Sequence, residues 1–153
     1  MMDKWTRRYL DLAKNISTWS KDPSKKIGAI AIGSKGQVLS QGFNGFARGI
    51  QDTPDRLNNR TEKYKYVVHG EMNCIYNACH NGISLDGAVL YVYGLPVCSE
   101  CAKGVIQVGI KKVIMQYDDA RPQWEESYKI TSQMFKEAGI VAMRYDSKGN
   151  QID

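Results

Sequence analysis

The chain has 153 residues, 42% of them hydrophobic, a formal charge of +5 and four cysteines. That length and apolar content suit one globular domain over residues 1–153, with a core that needs no disulfide staples, and they exclude a second catalytic domain. No run approaches the roughly 20 apolar residues of a membrane span, the start MMDKWTRRYLDLAK is amphipathic where a signal peptide is apolar, and no basic tail of nucleic-acid-binding type is present. A cytoplasmic protein with neither a membrane nor a nucleic-acid partner is expected.

Trp5, Tyr9, Leu10, Leu12, Ala13, Ile16 and Trp19 recur at helical spacing and predict an amphipathic helix over 3–19, stopped by Asp22, Pro23 and Ser24. IGAIAIG and QVLSQGFN read as a two-stranded hairpin. Residues 45–66, polar and punctuated by Gly49, Pro54, Asn58 and Asn59, are expected to form a long loop of the lid type. A helix follows from His69 to Asn81, ended by the turn dipeptide Asn81-Gly82. Then come strand AVLYVYG, helix CSECAKGVIQVGI, strand KKVIMQY, helix PQWEESYKITSQMFKEAG and strand IVAMRY. Strands alternating with helices imply an α/β fold, a three-layer α/β/α sandwich around a central five-stranded mixed sheet.

The chemistry gathers at two predicted helix starts. His69 and Glu71 open one helix and Cys98 and Cys101 the next, each just after a strand. H-x-E alone is weak, because both residues suit helix N-termini, and C-x-x-C alone fits a redox pair or half of a structural zinc knot. Together, two thiolates on one helical face and one imidazole make a His-Cys-Cys set that leaves a fourth tetrahedral position open, as a catalytic zinc requires. Cys74 and Cys79 are read as buried small hydrophobes, and His80 as a partner of its own helix C-terminus. The mild positive charge fits contact with phosphate.

In order, HGE and then PVCSEC match the H-x-E…P-C-x-x-C signature of zinc-dependent nucleobase deaminases. From the first helix through DPSKKIGAI, GFNG, HGEMNCI and CSECAKGVIQVGIKKVI to the last strand, the chain resembles the deoxycytidylate (dCMP) deaminase family of the cytidine deaminase-like superfamily. The resemblance implies hydrolysis of dCMP to dUMP and ammonia, supplying dUMP for thymidylate synthesis. It makes His69, Cys98 and Cys101 the ligands of one Zn2+ and Glu71 the general acid and base. A zinc of this kind lowers the pKa of a water toward 7, so that hydroxide is available to attack C4 of the cytosine ring.

Gly70, alanine in most relatives, would offer its N–H to the pyrimidine O2. Val97, which stands between Pro96 and Cys98 where the signature has proline beside cysteine, would offer its carbonyl to the 4-amino group. Asn44 is a ribose contact or a turn asparagine. Ser24, Lys25 and Lys26 are the candidates for the 5′-phosphate. Tyr117 lines the same pocket or simply packs.

Relatives are commonly homohexamers activated by dCTP and inhibited by dTTP, with Mg2+ accompanying the triphosphate. The resemblance places that regulation around Gly42, Phe43, Asn44, Gly45 and Arg48, while Arg48, Arg56 and Arg60 meet a triphosphate or are solvated. Residues 45–68 hold no cysteine or histidine, so a single zinc per chain is expected. Two other readings stand beside this one. A tRNA adenosine deaminase would favour a more basic tail than RYDSKGNQID, and a non-catalytic nucleotide-binding zinc protein would have no need of Glu71.

Overall fold

The computed structural model describes residues 2–118 and 120–153. Helix α1 (Lys4–Ser17) begins at Asp3, whose carboxylate accepts hydrogen bonds from the amides of Trp5 and Thr6, both at 2.9 Å. Its Leu10, Ala13 and Ile16 are buried one turn apart, while Trp5, Leu12 and Trp19 of the predicted apolar stripe remain exposed. Strands β1 (Gly28–Ile32) and β2 (Val38–Phe43) form the expected antiparallel hairpin. All five residues of β1 are buried, because helices cover the sheet on both faces.

Residues 45–66 are not the expected loop. Strand β3 (Gly45–Phe46) pairs antiparallel with β4 (Val67–Val68), and two short helices, α2 (Pro54–Asn58) and α3 (Arg60–Tyr66), fill the interval. Each is locally encoded. The Thr53 side chain accepts from the Arg56 amide ahead of a proline in the first turn, and Asn59 accepts from the Glu62 amide at 3.2 Å. The Arg56 guanidinium then lies over the Tyr66 ring at 4.3 Å, holding the two helices together.

The remaining elements fall close to expectation: α4 (Gly70–His80), β5 (Val89–Tyr93), α5 (Ser99–Gln107), β6 (Lys112–Gln116), α6 (Pro122–Ala138) and β7 (Val141–Tyr145). The sheet order is β2-β1-β5-β6-β7, with β1 antiparallel to both neighbours and β5, β6 and β7 mutually parallel. Alternation along the strands sorts the core into two layers. Ile30, Ile32, Tyr91 and Ile114 meet α1, whereas Ala29, Ala31, Leu90, Val92, Val113 and Met115 meet α4, α5 and α6. The predicted three-layer sandwich with a mixed five-stranded sheet is therefore the observed fold.

Two details bear on residues singled out from the sequence. Cys74 is buried, but Cys79 is exposed, because a five-residue offset turns it to the opposite side of α4. Gly42 packs backbone to backbone: a Cβ there would stand 2.2 Å from the Cys74 amide nitrogen and 2.7 Å from the Gly70 carbonyl oxygen. Gly42→Ala is expected to push β2 off α4 and cost about 1–3 kcal/mol, measured by urea unfolding of the metal-free protein. Unchanged stability would show that the α4 start can shift freely.

Candidate active site

His69 is the N-cap residue of α4 and Cys98 that of α5, so two strand-to-helix turns deliver the predicted ligands. The α5 start follows the carboxyl end of β5, where open α/β sheets gather their sites. The Cys98 Sγ accepts from the Cys101 amide at 3.4 Å, which caps α5 and sets both sulfurs on one side of its first turn.

The His69 Nδ1 lies 3.4 Å from the Cys98 Sγ and 3.3 Å from the Cys101 Sγ, and the three donor atoms all fall within 4.8 Å of one another. Donors at ordinary Zn–S and Zn–N lengths around a tetrahedral ion stand roughly 3.5 Å apart, so the set fits zinc without rearrangement. Two soft sulfurs and an imidazole also favour zinc over oxygen-seeking cations. Among the described residues this is the one cluster of three or more potential ligands.

In the metal-free protein these groups share protons. The hydrogen bond from Cys101 and the imidazole of His69 push the Cys98 thiol pKa down, and the Cys101 thiol is correspondingly pushed up beside it. The same contact with Cys98 raises the His69 pKa to about 9. Zinc must therefore displace protons from this triad, and its affinity should fall as pH falls.

Glu71, the second residue along from His69, is 4% exposed and faces a cleft of about 230 Å3. Burial raises its carboxyl pKa to about 7 against the partial opposition of His69. Ile27, Val67, Leu95 and Pro96 supply apolar walls for the cleft, and Lys25, Arg60 and Arg121 bring cations to it.

Other predicted residues take varied places. Ser24, Lys25 and Asn44 line the cleft, but the Lys26 ammonium turns away and donates to the Ser20 carbonyl at 2.7 Å. The Asn44 amide group donates to the Lys25 carbonyl at 2.9 Å and to Asp22 at 3.4 Å, and its oxygen accepts from the Ile27 amide at 2.8 Å. Gly70 is buried, and a Cβ there would stand 3.3 Å from Ile27, so alanine would fit with a small shift.

The Val97 carbonyl accepts from the Thr131 hydroxyl at 2.9 Å, and it is Pro96 and Cys98 on either side that line the cleft. This bond ties the turn before α5 to α6 and takes one of the two lone pairs of the carbonyl. Tyr117 belongs to an adjoining cleft with Lys26, and its hydroxyl is held by Arg144 at 2.8 Å and Glu125 at 3.3 Å. Nor do the three arginines converge. Arg60 reaches the cleft, Arg56 stacks on Tyr66, and Arg48 bonds the Asn77 side chain on α4.

Asp22, expected only as part of the turn that stops the first helix, lines the cleft, as do Lys63, Tyr64, Arg121 and Trp124, none of which stood out as site residues in the sequence. Lys63 sits in the charged run RTEKYK, and nothing in its immediate neighbours distinguishes it from solvated lysines.

The fold and the His-Cys-Cys cluster with its adjacent carboxyl define a zinc-dependent deaminase, and residues 3–117 match the model of the cytidine and deoxycytidylate deaminase zinc-binding region. An uncharacterised deaminase from the luxG 3′ region of Aliivibrio fischeri is 36% identical over 142 residues, covering 92% of each chain. Human deoxycytidylate deaminase is 33% identical over 156 residues, covering 97% of this chain and 84% of the human one. The fold also superposes with a TM-score of 0.74 on the dCMP deaminase of cyanophage S-TIM5 solved with dCMP and dUMP, at 23% identity over 94% of this chain and 98% of that one. The chain belongs to the deoxycytidylate deaminase family of the cytidine deaminase-like superfamily.

Proposed function

We propose that the protein hydrolyses the 4-amino group of dCMP, giving dUMP and ammonia. The observation that carries this reading is the joint placement of the His69, Cys98 and Cys101 cluster and Glu71 in a cleft that combines apolar walls with Lys25, Arg60 and Arg121. Apolar walls suit a flat pyrimidine, and cations suit a 5′-phosphate. Deoxycytidylate deaminases among the relatives point the same way.

His69 Nδ1 and the sulfurs of Cys98 and Cys101 would hold the zinc. When bound, the metal supplies a Lewis acid that lets a water act as a nucleophile at neutral pH. Glu71, with a carboxyl poised near pH 7 in the metal-free protein, takes the proton of the attacking water, delivers it to N3 of the ring and then assists departure of the amino group as ammonia. Gly70 is the candidate for a backbone N–H to the pyrimidine O2. The Asn44 side chain already spends its amide hydrogens on Asp22 and Lys25, so what it offers a ligand is the second lone pair of its oxygen, an acceptor suited to a ribose hydroxyl. Ser24 and Lys25 are the phosphate candidates that reach the cleft.

The reading extends to activation by dCTP, inhibition by dTTP, Mg2+ bound with the triphosphate, and a homohexamer. Its support is the likeness of Gly42-Phe43-Asn44-Gly45, with Arg48 beyond it, to the family's regulated segment.

Incubating the zinc-loaded protein with dCMP, with deoxycytidine and with an anticodon stem-loop RNA tests the reading. Formation of dUMP is expected, with kcat/KM for dCMP at least about tenfold above that for deoxycytidine, the effect of one well-placed charge-assisted phosphate contact. Conversion of RNA adenosine without dCMP turnover would replace it with a tRNA deaminase. Titrating dCTP and dTTP with Mg2+ into the dCMP assay tests the regulatory part.

A further inference from the structure

Lys63 and Asp22 form an ion pair of 3.0 Å whose side chains are 4% and 9% exposed. The described salt bridges elsewhere in the molecule each involve at least one well-exposed partner. A pair this dry is costly to bury, and it stands at the edge of the cleft rather than in either layer of the core.

Asp22 is the hub of the segment that precedes β1. Its Oδ1 accepts from the Lys63 ammonium at 3.0 Å, the Ser24 amide at 2.8 Å and the Lys25 amide at 3.3 Å, and its Oδ2 accepts from the Asn44 side chain at 3.4 Å. Asn44 in turn grips the Lys25 carbonyl and the Ile27 amide. The turn that carries Ser24 and Lys25 is thus shaped around one carboxylate. Lys63 comes from α3, the helix that also brings Arg60 and Tyr64 to the cleft. One ion pair therefore ties together the two walls that carry Ser24 and Lys25 on one side and Arg60 on the other.

We infer that Lys63 and Asp22 are positioning residues for nucleotide recognition: the pair sets the separation of the Ser24–Lys25 turn and α3, and with it the preference for a phosphorylated substrate over the bare nucleoside. Lys63 acts through Asp22, since its charge is already matched there, and the phosphate is met by the groups that the pair positions. The inference rests on the dCMP reading above.

The test compares kcat/KM for dCMP and for deoxycytidine in the starting protein, in Asp22→Asn and in Lys63→Met, each with its zinc content measured. In both variants the preference for dCMP should fall about tenfold, chiefly through KM for dCMP, because misplaced contacts lose affinity before the metal centre is touched. An unchanged preference in zinc-loaded variants, however far both activities fall, would reduce the pair to a staple of the fold. A preference increased by Asp22→Asn would mean that Lys63, once released, binds the phosphate itself, which also overturns the inference. Should either single variant fail to take up zinc, the double variant Asp22→Leu with Lys63→Met removes both charges together and is held to the same ratio. A starting protein that does not turn over dCMP, or does not prefer it to deoxycytidine, would instead remove the underlying reading.

Discussion

Glu71→Gln is expected to keep one equivalent of zinc and to lower dCMP turnover by about 10²–10⁴-fold, the usual contribution of a positioned acid and base. Glutamine preserves the shape and burial of the side chain but can neither accept a proton from water nor pass one to the ring. Zinc content measured beside kcat checks the assignment, and undiminished turnover in a zinc-loaded variant would remove Glu71 from the chemistry.

The same variant carries a signature in the metal-free protein. Burial raises the Glu71 carboxyl from 4.5 to about 7, so the unfolded chain releases this proton at lower pH than the folded one. Below about pH 4.5 both states hold the proton and the group is neutral to stability. As pH rises from there toward 7 the wild-type protein loses stability, and above 7 the full cost of a buried carboxylate is present. Metal-free Glu71→Gln should accordingly unfold at higher urea than wild type at pH 8, by about 1–3 kcal/mol, with the gain vanishing toward pH 4.5. A gain that is constant with pH would mean that Glu71 titrates normally.

Cys98→Ala should weaken zinc binding by more than about 100-fold, since it removes a direct ligand rather than an outer partner of one. It also removes the sulfur that caps α5. Cys98→Ser separates the two duties, because a hydroxyl is a good cap and a poor zinc ligand. Both variants should therefore lose zinc and turnover, while metal-free Cys98→Ser retains about 0.5–2 kcal/mol of stability that Cys98→Ala lacks. Competition with a chromogenic chelator reads the first effect and urea unfolding the second. Full zinc occupancy in Cys98→Ala would transfer the ligand role elsewhere.

Much of this site was legible along the chain because its chemistry is local. A histidine and a glutamate two apart, and two cysteines three apart, each sit at a helix start that follows a strand. The alternation of strands with helices through the second half of the chain likewise declared a layered sandwich around a sheet. Residues 45–66 show the opposite kind of error. Thr53, Pro54 and Asn59 are ordinary helix-start signals, but helices as short as α2 and α3 carry too little apolar periodicity to be heard over a polar composition.

By itself, then, the sequence determined the layered fold, the His-x-Glu and Cys-x-x-Cys fragments and their places at two helix starts, since each fragment depends on spacing within one element and on short-range backbone geometry. Only the tertiary structure decided which cations enter the cleft. Arg60 reaches it while Arg56 and Arg48 do not, and Lys63 is buried against Asp22 forty-one positions earlier. It also turned the Val97 carbonyl to Thr131 and left Cys79 in solvent. The physical reason is common to all of these. A charged or polar group takes its role from the partner that desolvates or neutralises it, and that partner arrives from a distant element whose approach no local pattern encodes.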